Sequence, residues 1–131
     1  MRPTWAEVRL DRIVTNYKII KDFVGSGVEV MAVVKANAYG HGAVQVAMSL
    51  EKQARADWFG VALVEEGIIL RRAGVRGKIL CLGGFWQDGL AKDCVDYDLT
   101  PTIYRLDMLD ALQRTALSSN QKVKYHVKLD T

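Results

Sequence analysis

The chain has 131 residues, half of them hydrophobic and a quarter charged, a balance that fits one globular domain or part of one. Eighteen Lys and Arg against 15 Asp and Glu leave a formal charge of +3, with the basic residues scattered, so no nucleic-acid surface is expected. Met1 leads into Arg2-Pro3-Thr4-Trp5-Ala6-Glu7 without an apolar leader, no run approaches the length of a membrane span, and the two cysteines cannot build a disulfide framework. The expected setting is the cytoplasm, with no membrane partner.

Thr4 to Arg9 alternates apolar and polar residues, which predicts a short strand. Asp11 is placed to cap a helix running to about Val24, with Ile13, Tyr17, Ile20 and Val24 at helical spacing and Gly25-Ser26-Gly27 as its stop. Val28 to Lys35 is a β-branched, nearly continuous apolar run, the composition of a strand buried on both faces. Helical character returns over Ala43 to Arg55, and Trp58 to Leu63 is a second apolar strand. Glu65 to Arg72 reads as a helix ended by Ala73-Gly74, and Lys78 to Leu82 as a strand closed by Gly83-Gly84. Gln87 to Tyr97 is a weaker helix. Leu99 to Tyr104 is a strand whose Pro101 suits an end or an edge. Asp107 to Leu117 places Met108, Leu109, Leu112 and Ala116 on one helical face, Ser118-Ser119-Asn120 is a turn, and Val123 to Leu129 is a last strand.

From residue 28 the order is therefore β-α-β-α-β-α-β-α-β with short connections, the pattern of a parallel sheet with crossover helices. An open doubly wound sheet and a TIM-type barrel both begin this way, and periodicity does not choose between them. The chain stops at Asp130-Thr131, directly after the last strand. Two readings follow: the opening part of a longer barrel, or a small doubly wound domain ending on its final strand.

The stretch richest in chemistry is Val33-Val34-Lys35-Ala36-Asn37-Ala38-Tyr39-Gly40-His41-Gly42. Lys35 closes an apolar strand, and α/β folds place ligands at the C-terminal ends of parallel strands. Partial desolvation there disfavours the ammonium form, and the neutral amine is the form that attacks an aldehyde, so a pyridoxal Schiff base is chemically sensible. Small residues follow, allowing a flat cofactor close to the backbone, and the Tyr39 hydroxyl is in sequence reach of a phosphate. Taken alone, the residues favour a commoner reading, a strand-end lysine that reaches to water beside a glycine turn. His41 suits a supporting or helix-start role, because no second ligand stands at metal-like spacing, and no metal is expected. His126 reads as a packed or surface strand residue, Asp130 as either a carboxylate at the strand ends or a turn residue. Cys81, in Ile79-Leu80-Cys81-Leu82, reads as a core residue. Gly83-Gly84 lacks the lysine and serine of a phosphate-binding loop. Phe85-Trp86 either lines the mouth of a site or anchors a loop.

The ten residues Val33 to Gly42 resemble the cofactor-lysine signature of alanine racemases. Further similarities follow in order: Trp5-Ala6-Glu7-Val8, Phe59-Gly60-Val61-Ala62 with Glu65-Glu66-Gly67 and Leu70-Arg71, Ile79 to Gly83, and His126 to Thr131. The resemblance implies that residues 1–131 are the N-terminal segment of a pyridoxal-phosphate-binding α/β barrel, about its first five strands, with the rest of the barrel and a β-rich C-terminal domain lying beyond. It implies that Lys35 carries pyridoxal 5'-phosphate as an internal aldimine and is one of two proton-transferring groups, that Tyr39 hydrogen-bonds the cofactor phosphate, and that Lys128 matches a lysine carbamylated in many members. The substrate implied is a small amino acid, L-alanine interconverted with D-alanine for cell-wall peptidoglycan, in a homodimer of the full-length protein. Racemisation needs acid/base groups on both faces of the α-carbon; this chain carries the lysine side, so the isolated 131 residues are expected to be poorly active or inactive. The alternatives are a racemase for another amino acid such as serine, or a non-catalytic pyridoxal-phosphate-binding barrel.

Overall fold

Runs of β-branched and aromatic residues alternate with amphipathic stretches, and each run pairs with the next. The computed structural model describes residues 4–129 and Thr131. The helices and strands in chain order are α1 (Leu10–Val24), β1 (Met31–Val33), α2 (Lys35–Tyr39), α3 (Ala43–Ala54), β2 (Trp58–Val61), α4 (Val64–Arg72), β3 (Lys78–Cys81), α5 (Asp88–Asp96), β4 (Thr100–Ile103), α6 (Leu106–Ser119) and β5 (His126–Val127). The sheet is wholly parallel, in the order β1-β2-β3-β4-β5. Each crossover adds its strand on the same side of the one before. That is how a barrel winds, whereas a doubly wound sheet reverses direction at a switch point. The topology thus selects the barrel reading, as an arc of five strands and not a closed barrel.

Strand side chains alternate between faces with a period of two, and the two faces differ. Val34, Phe59, Val61, Ile79, Cys81 and Ile103 are at most 5 % exposed and join helix residues such as Val46, Leu50, Leu70, Ala91 and Leu112 in one core. Met31, Val33, Trp58, Gly60 and Leu82 take the other face: a Cβ built on Gly60 lies 3.1 Å from Met31 Sδ, 3.4 Å from Val33 and 3.6 Å from Leu82. The sheet curls towards this second face, so that the rings of Trp58 on β2 and His126 on β5 meet at 5.6 Å. Glu29 accepts a hydrogen bond from Trp58 Nε1 at 3.0 Å, and Lys78 Nζ lies 4.9 Å over the same ring.

Several sequence expectations need correction. Residues 4–9 form no strand; Trp5 is 78 % exposed, because alternation alone makes no strand without a neighbour to complete the ladder. Asp11 does not cap α1: Arg9 takes that position without a side-chain cap, and Asp11, in the first turn, pairs with Arg9 at 3.0 Å. The first apolar run is paired only over Met31–Val33 and is not buried on both faces, since Val33 is 41 % exposed on the concave side while Val34 is 2 % exposed on the helix side. Pro101 is fully buried inside the sheet and not on an edge strand. Its missing N–H is tolerated because pairing with β5 begins only at Thr102. The last strand is two residues long.

Candidate active site

The C-terminal ends of the strands, where barrel proteins bind ligands, gather around one unusual turn. Pairing of β1 with β2 is extended by Val34, whose N–H donates to Gly60 O at 2.8 Å. Lys35 then stands just past the strand, as the first residue of α2, and not within it. The next four residues are left-handed: φ is 49° at Ala36, 55° at Asn37, 53° at Ala38 and 54° at Tyr39. For non-glycine residues this costs about 1–2 kcal/mol each, so the surroundings must over-determine it.

Specific bonds do so. Ala38 N–H donates to Val34 O at 2.8 Å and Gly42 N–H to Asn37 O at 2.9 Å. The Asn37 side-chain Oδ1 accepts Ala43 N–H at 2.9 Å and so starts α3. His41 Nδ1 lies 2.9 Å from Ala38 O; a carbonyl only accepts, so Nδ1 carries the proton, and the ring helps to close the turn. Gly40 and Gly42 also take positive φ, 88° and 89°, and Gly40 continues the left-handed conformation. Ala38 is 6 % exposed, packed inward.

The holder that sequence reasoning missed is Glu66, in the first turn of α4. Its Oε1 accepts Ala36 N–H at 2.7 Å, and its Oε2 accepts Ala62 N–H at 2.7 Å and Leu63 N–H at 3.3 Å. The available signal was its position three residues after the residue that starts the helix, where a carboxylate can reach back to cap. Leu63 at that start has no hydroxyl, and the pattern was hidden.

Lys35 is half-buried, and among the described residues no ion pair engages its amine. Tyr39, on the same turn, is 61 % exposed. Lys128 follows β5, its N–H bonded to Ile103 O at 2.9 Å. By strand alternation it shares the concave face with His126, and Lys35 and Lys128 follow the strands at opposite edges of the five-stranded sheet. Asp130 lies outside the described residues.

Gly83 and Gly84 form a tight seam and not a cradle: a Cβ on Gly84, where φ is +64°, falls 2.4 Å from Thr102 O. Phe85, 2 % exposed, anchors the following loop, whereas Trp86 is 55 % exposed. Cys81 and Cys94 are buried free thiols. Burial, with the charges of Glu65 and Glu66 behind it, pushes Cys81 up to about 12, and burial raises Cys94 as well, so neither is a nucleophile at neutral pH. Among the described residues no cluster of His, Cys, Asp or Glu is arranged for a metal, and no helix is long and apolar enough to cross a membrane.

A curled parallel sheet with a strained, lysine-bearing turn at its ligand end defines a segment of an α/β-barrel protein. Residues 8–131 match the family model described as alanine racemase, N-terminal domain, and the chain belongs to that family. It is 43 % identical over 131 residues to alanine racemase 1 of Caldanaerobacter subterraneus subsp. tengcongensis, matching all of this chain and 33 % of that one. It is 40 % identical over 131 residues to the alanine racemase of Clostridium tetani, again over 33 % of the relative. Among solved structures it resembles alanine racemase of Clostridium difficile 630, with a TM-score of 0.88, 39 % identity, and 95 % of this chain against 33 % of that chain. A second structure, the same enzyme in complex with cycloserine, gives a TM-score of 0.87 at 39 % identity, covering 99 % of this chain and 34 % of that one. The chain thus spans about a third of the length of these relatives.

Proposed function

We propose that the protein containing this chain racemises alanine with pyridoxal 5'-phosphate, and that Lys35 is both the covalent anchor of that cofactor and one of its two proton-transferring groups. The observation that carries this reading is the half-buried Lys35 amine, without an ion pair among the described residues, presented by a left-handed turn at the ligand end of the strands. The donor set fits the group. An aldehyde takes an accessible primary amine, and a phosphate takes a hydroxyl such as that of Tyr39 on the same turn. When bound, the cofactor supplies an electron sink that stabilises negative charge at the substrate α-carbon.

The chain's own residues then have distinct tasks. Lys35 Nζ moves a proton on one face of the α-carbon, and a base outside these 131 residues serves the other face. Tyr39 Oη donates to the phosphate. Lys128, as a carbamate, orients the group that receives the substrate carboxylate. A complex of a relative with cycloserine supports a small amino-acid-like substrate, and the names of the relatives favour alanine over serine and catalysis over simple cofactor storage. The setting proposed is a cytoplasmic homodimer supplying D-alanine for peptidoglycan.

The test is site-selective trapping. The chain is incubated with pyridoxal 5'-phosphate, reduced with borohydride, digested and mapped. One dominant adduct at Lys35, absent from Lys35→Ala, is expected. Label spread evenly over the surface lysines, or a pattern unchanged by Lys35→Ala, overturns the assignment.

A further inference from the structure

We infer that Glu66 is a positioning residue for Lys35: its carboxylate fixes the backbone from which the lysine amine is presented. This inference rests on the reading of Lys35 as the cofactor anchor. Regular pairing of β1 with β2 stops at Val33 and Gly60, and the bond from Val34 N–H to Gly60 O is the last backbone bond between the two strand ends among the described residues. The carboxylate of Glu66 links the two ends beyond that bond. Oε1 binds the N–H of Ala36, the amide directly after Lys35, and Oε2 binds the N–H groups of Ala62 and Leu63, directly after β2.

The two shortest of these bonds are both 2.7 Å, in the range of charge-assisted bonds. The plane of the Lys35–Ala36 peptide is thereby set by a side chain 30 residues away. That plane fixes the Lys35 Cα–C bond, the axis about which the Cα–Cβ bond is set. Ala36 is also the first of the four left-handed residues. Without an acceptor on its N–H, the turn loses its outermost support and the amine samples a wider volume. Glu66 touches no reacting atom in this account and acts only through Lys35.

Glu66→Gln tests the claim, because the amide retains one acceptor oxygen but sets an N–H₂ donor against the N–H groups of the other strand end. In the trapping experiment with pyridoxal 5'-phosphate and borohydride, label at Lys35 relative to the other lysines of the same molecule is expected to fall about tenfold, the scale of losing one charge-assisted bond. Circular dichroism must show the variant folded at the temperature of labelling. A loss of overall stability alone leaves that internal ratio unchanged, so a folded Glu66→Gln chain with undiminished preference for Lys35 overturns the inference. If the variant does not fold, amide hydrogen exchange of the unsubstituted chain decides: strong protection of both Ala36 and Ala62 N–H is required, and exchange of Ala36 at the rate of an open amide overturns the inference. If the unsubstituted chain shows no preference for Lys35, the anchor reading fails. Glu66 is then judged by whether Glu66→Gln removes protection from Ala36 while sparing the helices.

Discussion

The two ends of α4 solve the same problem with opposite charges. In its first turn, Glu66 gathers three backbone N–H groups from the ligand ends of β1 and β2. In its last turn, Arg71 gathers four backbone carbonyls: Tyr97 at 2.9 Å, Val75 at 2.8 Å, Gly77 at 2.9 Å and Asp98 at 2.8 Å. Each charge also has the sign the helix dipole favours at its end. The difference lies in what is held. Arg71 closes ordinary loops between α4 and β3 and between α5 and β4, with Arg72 stacked 5.4 Å over Tyr97 beside it. Glu66 holds a backbone in an unfavourable conformation next to the candidate lysine. One end of the helix serves the stability of the fold; the other maintains strain that the fold does not need.

This contrast is open to attack in three ways. Arg71→Ala should have the largest effect, about 4 kcal/mol of unfolding free energy, since half-buried carbonyls lose charged donors. Urea denaturation measures it, and label at Lys35 in the folded fraction should keep its selectivity; loss of that selectivity would mean that the two ends are not separable. The second concerns the Cys81 thiol beneath the Glu66 end, raised by burial from an ordinary 9.0 to about 12. A group raised in the folded state contributes its full stability below its unfolded value and loses it as pH climbs to its folded value. The chain should therefore lose about 3 kcal/mol between pH 8 and pH 11 from this thiol, and Cys81→Ala should flatten that decline in urea titrations run across the range. Equal slopes would show that the thiol is not the source. The smallest effect carries the most telling sign. Ala36→Gly, ordinarily a destabilising change in a helical segment, should leave stability unchanged or raise it by less than about 1 kcal/mol, because glycine adopts a φ of 49° without penalty. A clear drop in melting temperature would contradict the strain described for this turn.

Most of the fold was legible because each helix and paired strand carries its own period. Val46, Ala47 and Leu50 mark the buried side of α3, and Phe59 and Val61 alternate with Trp58 and Gly60 in β2. The misreadings fall where partners, not local pattern, decide. Thr4 to Arg9 alternates like a strand but has none beside it among the described residues, and Pro101 sits inside the sheet because its neighbour pairs one residue later. Lys35 and Tyr39 stand out in the sequence as chemistry. The handedness of the turn between them does not, since alanine carries no preference for positive φ and only Gly40 and Gly42 hint at it. Glu66 and Arg71 act over 30 and 26 residues, and no local pattern reports bonds of that span.

The left-handed turn has a consequence for how sequences of this kind drift. A β-branched side chain is sterically penalised at positive φ whatever surrounds it. Val33 and Val34 precede the turn, yet the residues inside it are Ala36, Asn37, Ala38 and Tyr39. The lack of β-branched residues at these four positions is therefore what the chirality of the main chain demands before any cofactor is considered. A lysine could be moved to another strand end with all its neighbouring chemistry and still miss its aim, unless the mirror-image turn that carries it were moved as well.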